Sequence, residues 1–579
     1  MRRSPSRFAL ATLLLALAAC TTSPASDQHP PAAAPAAGYD LLITNGRIVD
    51  GTGNAWFNGE VAISGDRIAR IAPPGRIDRA TARQVIDATG LVVAPGFIDI
   101  QAQSVGPFTV GDGRVVSMVT QGITTAIMGE SESPAPANDA LIKAMPDSQM
   151  ARAMAGFRGP DGFAHWLGAM EKHGMSQNAG SFLGAATVRV YAKGYAQGEP
   201  TPAELDTMRT VVRDAMRGGA FGVASALIYP PGNFAGTPEL TEMAKAMAPL
   251  GGIYITHMRS EADRLLEAID EAMKIGRDGG VPVEIYHLKA AGVKNWSKAA
   301  RAVAKIDSAR AAGQDVSADM YPYVAGGTGL AACIPPWATA DGKLLANLKD
   351  PTTRARIKDE IVRGVGDWEN LCVQATPQGV MLAGVADSSL KQFEGKRLAE
   401  VAAMQKKSWV DALIDFIVAD QARTGMVVFL MKEENVAMQL RQPWIKIGTD
   451  ADGWDPDSAK GVVVHPRTYG TYPRILGRYV REQHVIPLED AVRKMTSAVA
   501  NRLSIRDRGL LREGMYADVV IFDPATIIDN ATFTDPHRLS TGVRDVLVNG
   551  VAVLRDGRHT GAKPGRAVRG PGWTGEVAR

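Results

Sequence analysis

From about residue 95 to residue 500 the chain alternates short apolar runs with amphipathic stretches of helical period, which restricts it to a parallel α/β architecture. One unit is especially legible. Ile253-Tyr254-Ile255-Thr256-His257 reads as a strand. Ser260-Glu261-Ala262-Asp263 reads as the capped start of a helix that carries Leu265, Ile269 and Met273 at spacing four and stops at Gly279-Gly280. Val281 to His287 is the next strand, so a histidine closes each. Further strands end in Asp99-Ile100-Gln101, Ile127-Met128-Gly129-Glu130, Asp319-Met320-Tyr321 and Ile447-Gly448-Thr449-Asp450. The stretch between the last two is too long for one crossover and reads as an insertion, about 330–440, over the mouth of the domain.

Both ends of the chain have a different character. Residues 39–94 hold short strands such as Leu41-Leu42-Ile43, Glu60-Val61-Ala62-Ile63 and Arg67 to Ile71, broken by Asn45-Gly46 and Ser64-Gly65-Asp66. Residues 501–579 repeat the style in Ala517 to Phe522 and Asp545 to Val553. Two β-rich ends therefore bracket the α/β middle, 95–500. Apolar residues at 45% and charged residues at 22% supply an ordinary globular core and argue against disorder and against a multi-span membrane protein.

Ahead of residue 39 stands a leader. Arg2, Arg3 and Arg7 precede the apolar run Phe8 to Ala19, which is too short for a bilayer span of about 20 residues and reads as a signal peptide, 1–19. Leu17-Ala18-Ala19-Cys20 resembles a lipobox, with cleavage before Cys20 and lipidation of its thiol; ordinary cleavage after Ala18 is the alternative. Residues 20–38 are rich in Pro, Ala and Ser and read as a tether. The expected location is the bacterial cell envelope, lipid-anchored on the periplasmic side of the outer membrane or periplasmic. Lys+Arg exceeds Asp+Glu by 64 to 61. Because the leader holds three arginines and no acid, the mature chain is formally neutral, and nothing in it suggests a nucleic acid partner.

Three cysteines, Cys20, Cys333 and Cys372, are too few for a disulfide framework and contain no C-x-x-C pair for a thiolate zinc ribbon. Histidine is scarce, nine in all, so His257 and His287 at the ends of successive strands stand out. In a (β/α)8 barrel the carboxyl ends of the strands build the active site, and neighbouring strand ends converge two imidazoles as a metal site requires. A lone strand-end histidine is more often an ordinary hydrogen-bonded side chain; the pair together with Asp450 favours metal.

Here the chain resembles the N-acyl-D-amino-acid deacylases, or D-aminoacylases, of the amidohydrolase superfamily. The similarity runs from about Tyr39 to Gly570. It is carried by Ala94-Pro95-Gly96-Phe97-Ile98-Asp99, Gln121-Gly122-Ile123-Thr124-Thr125, Gly251 to Arg259, Tyr321-Pro322-Tyr323, His465-Pro466-Arg467-Thr468-Tyr469-Gly470 with its continuation to Val480, and Asp535-Pro536-His537. The resemblance implies an α/β fold, a (β/α)8 TIM barrel with a small β-sandwich domain built from both chain ends. It also implies a metal-dependent amidohydrolase, with zinc or else another divalent ion, that cleaves the amide of N-acyl amino acids, of D configuration, or of related small peptides. The alternatives are an amidohydrolase of another bond, a dipeptide or a lactone, and a catalytically inactive ligand-binding barrel.

The family carries His-x-His after the first barrel strand where this chain has Gln101-Ala102-Gln103, so one of two metal positions is expected to be empty and one Zn2+ per chain is expected. At the second strand Gly129-Glu130-Ser131-Glu132 replaces a cysteine motif. Glu130 or Glu132 would then complete the set with His257 and His287; Glu130 is chosen because it follows the strand directly. By the resemblance, Asp450 is the general base, with Asp452 its rival, and Lys289, Arg467 and Tyr321 hold the substrate carboxylate. A family serine after Tyr321 is here Gly327.

Overall fold

The computed structural model describes residues 38–145, 148–364, 368–457, 459 and 461–575. Cys20, the leader and most of the tether therefore lie outside the described residues.

Eight parallel strands form the barrel: β1 (Phe97–Asp99), β2 (Ile123–Met128), β3 (Asn178–Ser181, continued by Leu183–Gly184), β4 (Gly222–Ala226), β5 (Ile253–His257), β6 (Val283–Ile285), β7 (Val316–Met320) and β8 (Ile445–Ile447). Hydrogen bonding runs β1-β2-β3 and then from the second piece of β3 through β4, β5, β6 and β7 to β8. The ring closes just past the strand ends, where Ala102 bridges Ala451. There Asp450 N donates to Gln101 O at 2.7 Å and Gln103 N to Ala451 O at 3.0 Å. Asp99 reinforces the seam: its carboxylate accepts from Thr449 N at 2.9 Å and Gln101 N at 3.1 Å.

The helix between β5 and β6 spans Leu265–Gly279 and ends on Gly280 in the left-handed conformation, as the glycine pair predicts. It buries Leu265, Ile269 and Met273. Its start differs from the expected one. Ser260 Oγ donates to Glu369 at 2.6 Å, and the backbone N–H groups of Glu261 and Ala262 each donate to the same carboxylate at 3.1 Å. An acid from the insertion thus binds the Ser260 hydroxyl and the two N–H groups that follow it, and the chain enters the helix four residues later than the capping-box spacing predicts.

The two chain ends join in one nine-stranded sheet. Val92–Pro95 pairs in parallel with Tyr39–Ile48 and antiparallel with Val519–Phe522, so it stitches the amino-terminal strands to the carboxy-terminal ones. Val92, Val520 and Phe522 belong to the same core as barrel residues Phe97 and Ala126.

Between β7 and β8 the insertion folds as a three-stranded antiparallel sheet, Ala325–Gly329, Gly425–Phe429 and Val380–Ala383, with helices around it. It has its own core, including Leu348, Ile357, Leu371, Leu413 and Ile417. Cys333 and Cys372 form a disulfide inside that core. Counting three cysteines had given no sign of it, because the pairing depends on two segments meeting in the insertion. Among the described residues no helix is long and apolar enough to cross a membrane.

Candidate active site

Packing places the two strand-end histidines as the alternation requires. His257 is the last residue of β5, and His287 lies two residues past β6, with ring centroids 4.5 Å apart. Glu130, two residues past β2, reaches between them: its Oε1 lies 3.3 Å from His257 Nδ1 and 3.3 Å from His287 Nε2. Among the described residues these three donors lie within 4.8 Å of one another. Two imidazoles and a carboxylate fit a divalent metal with an open position, as catalytic zinc sites use. Burial disfavours the charge on Glu130, but the two imidazoles outweigh it and hold the carboxyl well below the usual carboxylate range. Glu132, the alternative donor, is not part of the group.

Behind the histidines lies Glu261, which sequence reasoning had spent on the helix start. Its Oε1 is 2.9 Å from His287 Nδ1 and 2.7 Å from Lys289 Nζ, and its Oε2 is 3.7 Å from His257 Nε2. A carboxylate on the far nitrogen of a ligating histidine fixes the ring's orientation and tautomer. The burial of Glu261 opposes its charge, yet Lys289 and the two imidazoles hold its carboxyl below the usual range. Its position four residues past His257, above the strand end, was the available signal.

Lys289 is therefore committed in part. Its ammonium touches Glu261 and lies 2.7 Å from His287 Nδ1, although it also lines the cavity. Arg467 is engaged as well, pairing Nη1 with Asp450 Oδ2 at 2.7 Å and donating Nη2 to Gly327 O at 3.2 Å. Tyr321 stands between the two cations, 4.8 Å from the Arg467 guanidinium and 5.5 Å from Lys289 Nζ by ring centroid. Gly327 leaves room: a Cβ there would meet Arg467 Nη2 only at 3.6 Å.

Asp450 faces Glu130 across the seam. Burial raises its carboxyl above the ordinary aspartate value even though Arg467 pulls the other way. Asp452 also lines the cavity, and burial followed by the charge of Asp450 pushes its carboxyl up to about 7. Both His287 and Asp450 have left-handed backbones, with φ of 32° and 49°. Such residues cost of order 1–3 kcal/mol and persist where the surroundings over-determine them. For His287 the constraint is Asp319, which accepts its N–H at 2.8 Å; for Asp450 it is the seam bond to Gln101.

The glutamines stand apart from the donor group. Gln101 Nε2 and Gln103 Nε2 donate to Glu130 Oε2 at 2.7 and 2.8 Å, and Gln103 Nε2 also reaches Asp450 Oδ1 at 3.2 Å. Gln103, Glu130, His257, His287, Asp450 and Arg467 line one cavity of about 470 Å³, whose outer wall is the insertion sheet with Met426, Val427 and Val428 and, beside it, Leu371.

Residues 394–554 match the model of the Amidohydrolase family. The D-aminoacylase of Alcaligenes xylosoxydans xylosoxydans is 34% identical over 92% of this chain and 97% of its own. The chain belongs to the N-acyl-D-amino-acid deacylase family of amidohydrolases. The N-acyl-D-glutamate deacylase of the same organism is 33% identical over 92% of this chain and 96% of its own. The crystal structure of the N-acyl-D-glutamate deacylase of Bordetella bronchiseptica, complexed with zinc and a phosphonate mimic of the tetrahedral intermediate, has a TM-score of 0.74 at 29% identity, covering 92% of this chain and 100% of that one. A D-aminoacylase structure from a study of its binuclear metal centre, with one-metal activation and second-metal attenuation, also gives 0.74, at 30% identity over 92% and 100% of the two chains. As a member of this family the protein is a hydrolase of carbon–nitrogen bonds other than peptide bonds, and among the described residues Glu130, His257 and His287 are the group whose donor atoms are close enough together to hold a divalent ion.

Proposed function

We propose that the protein removes the acyl group from N-acyl-D-amino acids and uses one zinc ion per chain. The observation that carries this reading is the meeting of Glu130, His257 and His287 with Asp450 and Arg467 in one cavity. Relatives at about a third identity act on N-acyl-D-amino acids, which supports the stereochemistry.

A divalent ion held by the three donors supplies a Lewis acid that polarises the scissile carbonyl and acidifies water. Asp450 acts as general base on the attacking water and afterwards returns the proton to the departing amine nitrogen. Arg467, stacked against Tyr321, receives the substrate carboxylate and turns the scissile amide toward Glu130 and Asp450. Lys289 has N–H donors beyond the one given to Glu261, and they serve the same carboxylate. The mostly apolar insertion wall covers one side of the cavity and lowers the polarity around these charges, which strengthens their interactions.

The test is a screen of N-acyl-D- and N-acyl-L-amino acids with and without chelator. Hydrolysis of D substrates, lost with chelator and restored by zinc, is expected; equal rates on both enantiomers, or indifference to chelator, overturn the reading.

We also propose that the mature protein is anchored in the cell envelope through Cys20, which lies outside the described residues. Cys20→Ser is expected to move it from the membrane to the soluble fraction, and unchanged fractionation sinks the anchor.

A further inference from the structure

Two carboxylates face each other across the barrel mouth, and their four oxygens have distinct partners. Glu130 Oε1 faces the two imidazoles. Glu130 Oε2 accepts from both glutamine amides. Asp450 Oδ1 accepts from Gln103, and Asp450 Oδ2 is paired with Arg467. One amide nitrogen, Gln103 Nε2, thus lies within hydrogen-bond distance of an oxygen from each acid. An unbridged pair of acids in such a place attracts a cation; here the bridging charge is the partial positive charge of an amide.

The orientation of the amides matters. An amide nitrogen is a donor with no lone pair to give a metal, and its oxygen is the atom that could ligate. Both glutamines turn nitrogen toward the acids. Gln101 Oε1 is left buried without a hydrogen-bond partner, so the contact with Glu130 prevails over the carbonyl's own need. Reversal of either amide would set oxygen against a carboxylate oxygen. The seam holds both side chains where they are, since Gln101 N is bound to Asp99 and Gln103 N to Ala451.

We infer that Gln101 and Gln103 form an amide clamp that fills the place of a second cation and holds the site to a single ion. The clamp also restricts Glu130 to offering one oxygen, Oε1, to that ion, and ties the acid that ligates to the acid that acts as base. This rests on the reading that Glu130, His257 and His287 hold a metal.

Elemental analysis of the purified full chain, after dialysis against rising zinc, tests the clamp without recourse to activity. The wild type is expected to plateau at one ion per chain, and Gln101→His/Gln103→His, with folding checked by circular dichroism, at two. A wild-type plateau of two overturns the clamp and the single-ion stoichiometry but leaves the metal-dependent deacylase reading standing, whereas a wild type that binds none defeats that reading and the clamp with it. A folded double variant still limited to one ion also overturns it. Gln101→Leu and Gln103→Leu are expected to keep one ion, bound about tenfold more weakly or worse, as removal of such outer partners usually does. They should also alter the visible spectrum of the cobalt-substituted protein. Unchanged affinity and spectrum in both refute the clamp.

Discussion

The site has two halves of opposite construction. One rests on the neighbouring strands β5 and β6, where His257 and His287 sit thirty residues apart and are backed by Glu261 and Lys289. The other rests on the seam between β1 and β8, where Gln101 and Gln103 meet Asp450 and Arg467 across about 350 residues of chain. Glu130 touches both. In the proposed mechanism the first half gathers ligands from consecutive β/α units, and the second manages protons and substrate charge with groups that only ring closure brings together. Binding of metal and turnover should accordingly come apart under mutation.

The largest effect is expected in the first half. His257→Ala or His287→Ala should abolish metal retention and activity together, read by elemental analysis beside an assay; a metal-free variant with full activity would mean that the two properties are not linked. Asp450→Asn, in the second half, should keep its metal while turnover falls about 10²–10⁴-fold, the usual size of a general-base contribution. Loss of metal in that variant would erase the division between halves.

Glu261→Gln sharpens the contrast from within the first half. The side chain keeps its size and loses the charge that faces His287 Nδ1 at 2.9 Å and lies near His257, so competition with a chelator should show metal affinity falling about 10–100-fold. An unchanged affinity would reduce Glu261 to a counter-ion for Lys289. The smallest effect expected is a displacement along the pH axis. Burial raises the Asp450 carboxyl and Arg467 opposes that rise. Because the base must be ionised, activity is lost as pH falls through its pKa, and Arg467→Met should move the acidic limb of kcat/KM to higher pH. The same variant should narrow the preference for free-acid substrates over their carboxamides, and an unmoved limb would show that the ion pair is broken in the working enzyme.

The first half was the more legible in the sequence because its signals are local. Hydrophobic alternation marks β5 and β6, and a polar residue at the end of each reports the barrel mouth. Glu261 was misread for an equally local reason: Ser260 and Asp263 have the spacing of a capping box, and nothing nearby reveals that Glu369, more than a hundred residues on, captures the N–H groups of Glu261 and Ala262 instead. The disulfide between Cys333 and Cys372 escaped for the same cause, being decided by the insertion's own packing. Gln101 and Gln103 were weighed as ligands, a role in which glutamine is poor, and their task as donors to Glu130 became apparent only with the seam closed.

Closure of the seam also dictates an order of events as the chain folds. Contacts between β1 and β8 join nearly opposite ends of the barrel sequence, and pairings of such separation form late because a long loop must be closed before they return any free energy. The β5-helix-β6 unit closes a loop of about thirty residues. A nascent barrel can therefore own its histidines before it owns its base. The histidine pair belongs to the early chain, whereas Glu130 and Asp450 join it from distant segments only as the ring forms.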